Sequence, residues 1–248
     1  MRALMRAPVF LASTAELAVN PVRLAGPEGR HAAVVLRLTA GERVDLTDGA
    51  GTVAECVVAV AGSDWLELAV TGRRYAPPPS PRLVVVQALA KGARGELAVE
   101  LMTEVGVDEI VPWAADRSVA QWRGDRGPKA LERWRSTARE AAKQARRAWL
   151  PLVAELVSTA AVAERLTRAD LALVLDGGGG TTLSRVDAPA GVEVVVVVGP
   201  EGGITDHELA AFDRAGAMAC RLGPTVLRTS TAGVAAAAVL LARSGRWS

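Results

Sequence analysis

The 248 residues carry 29 lysines and arginines against 27 acids, a formal charge of +2, and half of them are hydrophobic. That is enough apolar material for one large domain or two small ones. No apolar run approaches the roughly 18 residues of a membrane span, and no apolar segment with a cleavage site opens the chain, so a cytoplasmic protein without a membrane partner is expected. Cys56 and Cys220 are isolated thiols, and His31 and His207 lie far apart, which argues against a disulfide framework, a histidine triad and a metal centre.

In chain order, residues 41–70 read as short strands separated by turns (ERVDLTDG, TVAECVVAV, WLELAV), with a hairpin signal at Asp48-Gly49. A small β-rich domain is expected over residues 1–74. The segment YAPPPSP, residues 75–81, has four prolines in seven positions and reads as a linker. Beyond it the period changes. A strand is expected at 83–89, a helix at 96–105 closed by Gly106, a strand at 109–112 and a long helix at 128–149. Strands follow at 171–175 and 192–198. A helix at 205–215 opens on a capping box, Thr205 with Glu208. A strand at 217–221 and a helix at 230–243 complete the order. Strands alternating with helices over 82–248 predict an α/β domain with a largely parallel sheet.

Charge is unevenly spread. Between Arg117 and Arg147 there are ten basic residues against three acids. On the long helix, Leu131, Trp134, Ala138, Ala141, Ala145 and Ala148 mark an apolar face, while Arg135, Arg139, Lys143 and Arg147 recur every four residues on a stripe of one sign. Like charges at that spacing repel, and a polyanionic partner relieves the repulsion. Trp122, Trp134 and Trp149 interleave with the basic residues as possible stacking platforms for bases, although Trp134 falls on the apolar face.

Two late loops are the strongest site candidates. VVVVVGPEGG, residues 194–203, runs an apolar strand into a glycine-proline loop in which Glu201 is the only ionisable group. LGPTVLRTSTA, residues 222–232, supplies Gly223 and Pro224 for a turn, Val226 and Leu227 for an apolar wall, then Arg228. Ser230 or Thr231 is expected to cap the last helix, whose free N–H groups favour an anion. The loop DGGGG at 176–180 lacks the spacing of a phosphate-binding loop and reads as a surface loop.

These segments, with HAAVVLRLTAGERVDLTDG, KGARGELAVELMTEVGVDEIVPWAADRSV and RWRSTAREAAKQARR, resemble the RsmE family of 16S ribosomal RNA uridine N3-methyltransferases in the SPOUT superfamily. The resemblance covers most of the chain in order. One departure is Ser230, where many relatives carry Glu. The resemblance implies a PUA-like β-barrel over 1–74 and a SPOUT domain with a trefoil knot over 82–248, acting as a homodimer. It implies S-adenosylmethionine bound against Leu175, Gly199, Pro200, Glu201, Gly202 and Gly203, and against Leu222, Gly223, Pro224, Val226, Leu227 and Thr229. The 16S RNA of the small ribosomal subunit would meet Lys91, Arg94, Arg117, Arg135, Arg139, Lys143, Gln144 and Arg147.

The chemistry follows from the reactants. Uracil N3 must lose its proton before it attacks an electrophilic methyl group, so the protein has to position and deprotonate. Glu201 is the candidate base and Arg228 the candidate stabiliser of the imide anion. Glu201 ordering its own loop, and Arg228 meeting a phosphate or a carbonyl, are equal alternatives at this stage. Two other functions stay open: methylation of a ribose 2′-OH or another base position, and a ribosome-assembly factor that binds RNA without catalysis.

Overall fold

The computed structural model describes residues 7–247. The chain divides into two compact units. One holds the residues up to Pro78 together with Ala142–Leu150; the other holds Pro79–Ala141 and Pro151 onward.

The first unit is built on a five-stranded sheet. Its elements are β1 (Val9–Leu11), α1 (Thr14–Leu17), β2 (Val22–Leu24), α2 (Gly26–Arg30), a π-helical turn at His31–Val35, β3 (Arg43–Thr47), β4 (Thr52–Ala61) and β5 (Leu66–Tyr75). The strand order is β1-β3-β4-β5-β2. The three strands read from sequence are present, and the Asp48-Gly49 turn joins the antiparallel pair β3–β4. Asp48 Oδ1 fixes that turn by accepting from the N–H groups of Ala50 at 2.8 Å and Thr52 at 3.0 Å. Alternate residues of each strand, among them Val44, Leu46, Ala54, Cys56, Leu66 and Leu68, point into one core. Tyr75 belongs to β5, so extended pairing reaches one residue into the proline-rich stretch.

The second unit contains β6 (Arg82–Ala88), α3 (Arg94–Val105), β7 (Glu109–Trp113), most of α4 (Arg126–Gln144), β8 (Leu152–Val153), α5 (Thr159–Arg168), β9 (Leu171–Leu175), β10 (Thr181–Thr182), β11 (Glu193–Val198), α6 (Asp206–Arg214), β12 (Met218–Arg221) and α7 (Thr229–Arg243). Seven strands pair in the order β10-β12-β9-β11-β6-β7-β8, every pair parallel. Both faces are covered, which is why β11 reads as an unbroken apolar run after Glu193 and β6 as one interrupted only at Gln87. Val85, Val194 and Val196 meet α3, α4 and α7 on one face. Val86, Val195 and Val197 meet α5 and α6 on the other. The capping box at Thr205–Glu208 is formed, and Gly106 closes α3 in the left-handed conformation.

Two expectations fail. The helix expected over 128–149 ends at Gln144, and Arg146 turns the chain with a φ of 57°. The residues beyond are drawn into β-type pairing instead: the Gly51 N–H donates to Ala148 O and the Leu150 N–H to Gly49 O. Arg147 therefore leaves the helical stripe. The last helix is capped neither by Ser230 nor by Thr231: Arg228 is its N-cap and Ser230 is buried in its first turn.

Candidate functional site

Strands β12, β9 and β11 are neighbours in the sheet, with Val198 opposite Leu175 and Leu175 opposite Cys220. Their C-terminal ends emerge together, and the loops that follow meet there, the position at which parallel α/β sheets bind ligands. They enclose a cavity of about 300 Å³, a size suited to a small molecule. Leu175 and Val198 line it from the strand ends; Gly199, Pro200, Gly203 and Ile204 line it from the loop after β11. Leu222, Gly223, Pro224, Val226 and Leu227 contribute from the loop after β12, and Thr229 and Ala232 from α7. The structure thus brings the two late loops together. The Thr229 hydroxyl ties them, donating to Gly199 O at 3.0 Å.

Much of this lining is apolar side chain and loop backbone. Gly203 takes a φ of 77°, a conformation that residues with a Cβ rarely adopt. A Cβ at Gly223 would meet nothing within 4 Å, so the backbone there faces open space. Asp176 and Arg221 bring the only formal charges among the lining residues. Sequence reasoning missed both. Their signal was position, since Asp176 follows β9 directly and Arg221 ends β12. It also set DGGGG aside as a surface loop, whereas Asp176 and Gly177 line the cavity. Cys220 is a further lining residue; burial raises its thiol pKa, and burial first, then Asp45, pushes that of Cys56 up to about 11. Both stay as thiols.

Two glycine-loop residues lie elsewhere than expected. Gly202 is outside the lining; a Cβ there would stand 3.0 Å from Arg117 Cβ and 3.1 Å from Arg117 O. Its missing side chain makes room for the segment carrying Arg117. The guanidinium of Arg117 donates back to Gly202 O at 3.3 Å. Glu201 also lies outside the lining. Its Oε1 accepts from the Lys91 N–H at 3.2 Å and stands 3.8 Å from Arg94 Nη1. The carboxylate therefore joins the loop after β11 to the loop after β6. Arg228 is exposed at the start of α7, where its carbonyl accepts from Thr231 and Ala232.

The segment carrying Arg117 is held by Glu208. Burial pushes this carboxyl up, but the N–H of Asp116, the N–H and hydroxyl of Thr205 and the hydroxyl of Thr159 outweigh it and leave the group below its ordinary value.

The basic stripe is not uniform. Lys91, Arg94, Arg117, Arg139 and Gln144 are exposed, while Arg135 and Arg147 are half-buried. Lys143 departs from expectation: it is 6 % exposed, and its ammonium pairs with Glu28 at 2.9 Å inside the first unit. Arg135 bonds Val153 O and pairs with Glu155 at 2.8 Å. The tryptophans are structural in the same way. Trp134 is buried with Trp122 edge-on to it at 5.0 Å, and Trp149 donates to Ala76 O at 2.9 Å. Among the described residues no group of three or more His, Cys, Asp or Glu side chains is arranged to hold a metal, and no helix is long and apolar enough to cross a membrane.

Comparison with known proteins agrees with this architecture. An RNA methyltransferase domain matches residues 77–241 and an RNA methyltransferase PUA domain matches residues 24–70. Ribosomal RNA small subunit methyltransferase E of Mycobacterium bovis is 46% identical over 226 residues, 90% of this chain and 86% of its own length. The protein of that name from Bacillus subtilis is 28% identical, over 84% of this chain and 85% of its own. Among solved structures, the Neisseria gonorrhoeae ribosomal RNA small subunit methyltransferase E bound to S-adenosyl methionine aligns with a TM-score of 0.84 at 27% identity, covering 96% of this chain and 98% of that one. A Legionella pneumophila structure described as a methyltransferase with bound cofactor SAM aligns with a TM-score of 0.86 at 25% identity, covering 97% and 99%.

Proposed function

The chain belongs to the ribosomal RNA small subunit methyltransferase E family, and from that premise we propose that it methylates N3 of a uridine in 16S RNA of the small ribosomal subunit. Methylation of small-subunit ribosomal RNA with S-adenosylmethionine as donor is its activity; the uracil N3 position is the finer assignment proposed. The observation that carries the reading is the cavity of about 300 Å³ at the C-terminal ends of β9, β11 and β12. Its apolar lining suits an adenine ring, its loop backbone offers close approach, and its two charged residues suit a zwitterionic tail.

In this reading, Leu175, Gly199, Pro200 and Gly203 hold the cofactor from one side. Leu222, Gly223, Pro224, Val226, Leu227 and Thr229 hold it from the other. Glu201 and Gly202 support that loop through Lys91 and Arg117. When bound, the cofactor supplies a methyl group on a cationic sulfur, a strong electrophile. The protein is left to hold an unstacked uracil in line and to remove its N3 proton. Glu201 accepts that proton, with its carboxylate oriented by the Lys91 N–H. Arg228, exposed at the N-terminus of α7, neutralises charge on the uracil oxygen as it develops.

Lys91, Arg94, Arg117, Arg135, Arg139, Gln144 and Arg147 form the RNA-contacting set, with Lys143 reassigned to its ion pair. A trefoil knot through the loops after β11 and β12 belongs to the same reading, as does a homodimer. Val226 is 98 % exposed on a cavity-lining loop, a place for a second protomer to cover. A ribosomal RNA substrate places the enzyme in the cytoplasm. The test is nucleoside mass spectrometry of 16S RNA from a deletion strain. Loss of N3-methyluridine, restored by the gene, is expected; its retention would overturn the position assigned.

A further inference from the structure

Gln87 is the one polar residue in the interior of β6, whose sequence is RLVVVQA, and it is fully buried. Its Nε2 donates to Ala88 O at 3.1 Å and to Thr229 O at 3.4 Å. Both partners are carbonyls, so the nitrogen must face them, which fixes the orientation of the amide. That leaves Oε1 buried with no hydrogen-bond partner. The groups packed there offer nothing to it: a Cβ added at Gly233 would lie 3.4 Å from Gln87 Oε1 and 2.7 Å from Met102 Sδ.

A buried acceptor without a partner is destabilising, and an apolar side chain of similar volume would avoid it. The structure shows what the amide accomplishes instead. Thr229 is the first residue of α7 and lines the cavity. Gln87 holds its carbonyl, while its hydroxyl holds Gly199 O at 3.0 Å. A chain of two hydrogen bonds thus runs from β6 through α7 to the loop after β11, and its last two members are cavity residues.

We propose that Gln87 is a positioning residue for the methyl donor, setting the separation of the two cavity loops through Thr229 at a cost in stability. It touches neither donor nor RNA in this scheme. The proposal rests on the cavity being the donor site, and Gly223→Leu, which fills that cavity without a clash, tests that separately.

The experiment measures S-adenosylmethionine binding by calorimetry and thermal unfolding of the ligand-free protein for wild type, Gln87→Met, Thr229→Val and the double variant. Gln87→Met removes the amide and keeps the volume. It is expected to weaken donor binding about tenfold while Tm is unchanged or higher. Thr229→Val is expected to weaken binding similarly. The double variant should lose much less than the product of the two, because both interrupt one chain. Unchanged affinity in Gln87→Met overturns the proposal. So does a lower Tm alongside the lost affinity, which makes Gln87 a packing residue, and so do losses that multiply in the double variant. Wild-type donor affinity in Gly223→Leu overturns the site assignment instead.

Discussion

The two edges of the seven-stranded sheet are built on opposite principles. At the N-terminal ends of β6, β7 and β11, charged side chains interlock. Glu109, with its side chain 4 % exposed, takes two hydrogen bonds from Arg165 at 2.7 and 2.8 Å and a third from Arg82, which also bonds Glu193. Beside it, Asp108 receives Arg246 at 2.7 Å and the Leu83 N–H at 2.9 Å. At the C-terminal ends of β9, β11 and β12, apolar side chains and glycine- and proline-bearing loops surround a cavity to which only Asp176 and Arg221 bring charge. One edge satisfies its polar groups with its own side chains. The other keeps backbone and space available, which is where the proposed donor site lies.

The sharpest way to break that division is to cut the ion-pair edge. Glu109→Gln weakens three charge-assisted hydrogen bonds and leaves Arg82 and Arg165 only Glu193, and a stability loss of about 3 kcal/mol is expected in denaturant unfolding. Donor affinity of the folded protein should stay within about twofold, a difference of about 0.4 kcal/mol. A large loss of affinity would show that the edges are coupled. The converse test is Gly223→Leu. That position lines the cavity and has open space around it, so the new side chain fills the site without a clash. Donor affinity is expected to fall at least about 30-fold, or about 2 kcal/mol, with Tm within about 2 °C of wild type. Normal affinity in that variant would move the donor out of the cavity.

The same division explains what was legible in the sequence. The strands at 171–175 and 192–198 and the capping box at Thr205 were readable because short apolar runs and caps are local signals. The two late loops were readable because their glycines and prolines follow apolar runs. Three features were not readable, since each depends on a partner far along the chain. Lys143 looked like one more member of a cationic stripe until Glu28, 115 positions earlier, met its ammonium. The long helix looked continuous to Trp149 until the Gly49–Gly51 turn pulled its last residues into pairing. Gly202 reads from sequence as one more glycine of a ligand loop, and nothing local shows that Arg117 packs beside it. Helix α5, at 159–168, went unread, and yet it supplies the Arg165 that holds Glu109.

Glu208 sharpens the comparison with the smallest effect, because it is a fully buried carboxylate at the edge that carries the cavity. Among the described residues no cation pairs with it; its four donors come from Asp116, Thr159 and Thr205. They hold its pKa below the ordinary value of 4.5. A carboxyl depressed by folding contributes stability that is complete above its unfolded value and is lost as the pH falls through the folded one. Glu208→Gln cannot titrate and should cost about 1.5 kcal/mol at neutral pH. The gap between the two proteins should then narrow as the pH drops below 4.5, because wild type loses the advantage that the variant never had. Urea unfolding of both across that range checks the sign. A gap that stays constant through acid would mean that Glu208 acts there by shape and not by charge, and the C-terminal edge would then owe nothing to buried ionisation.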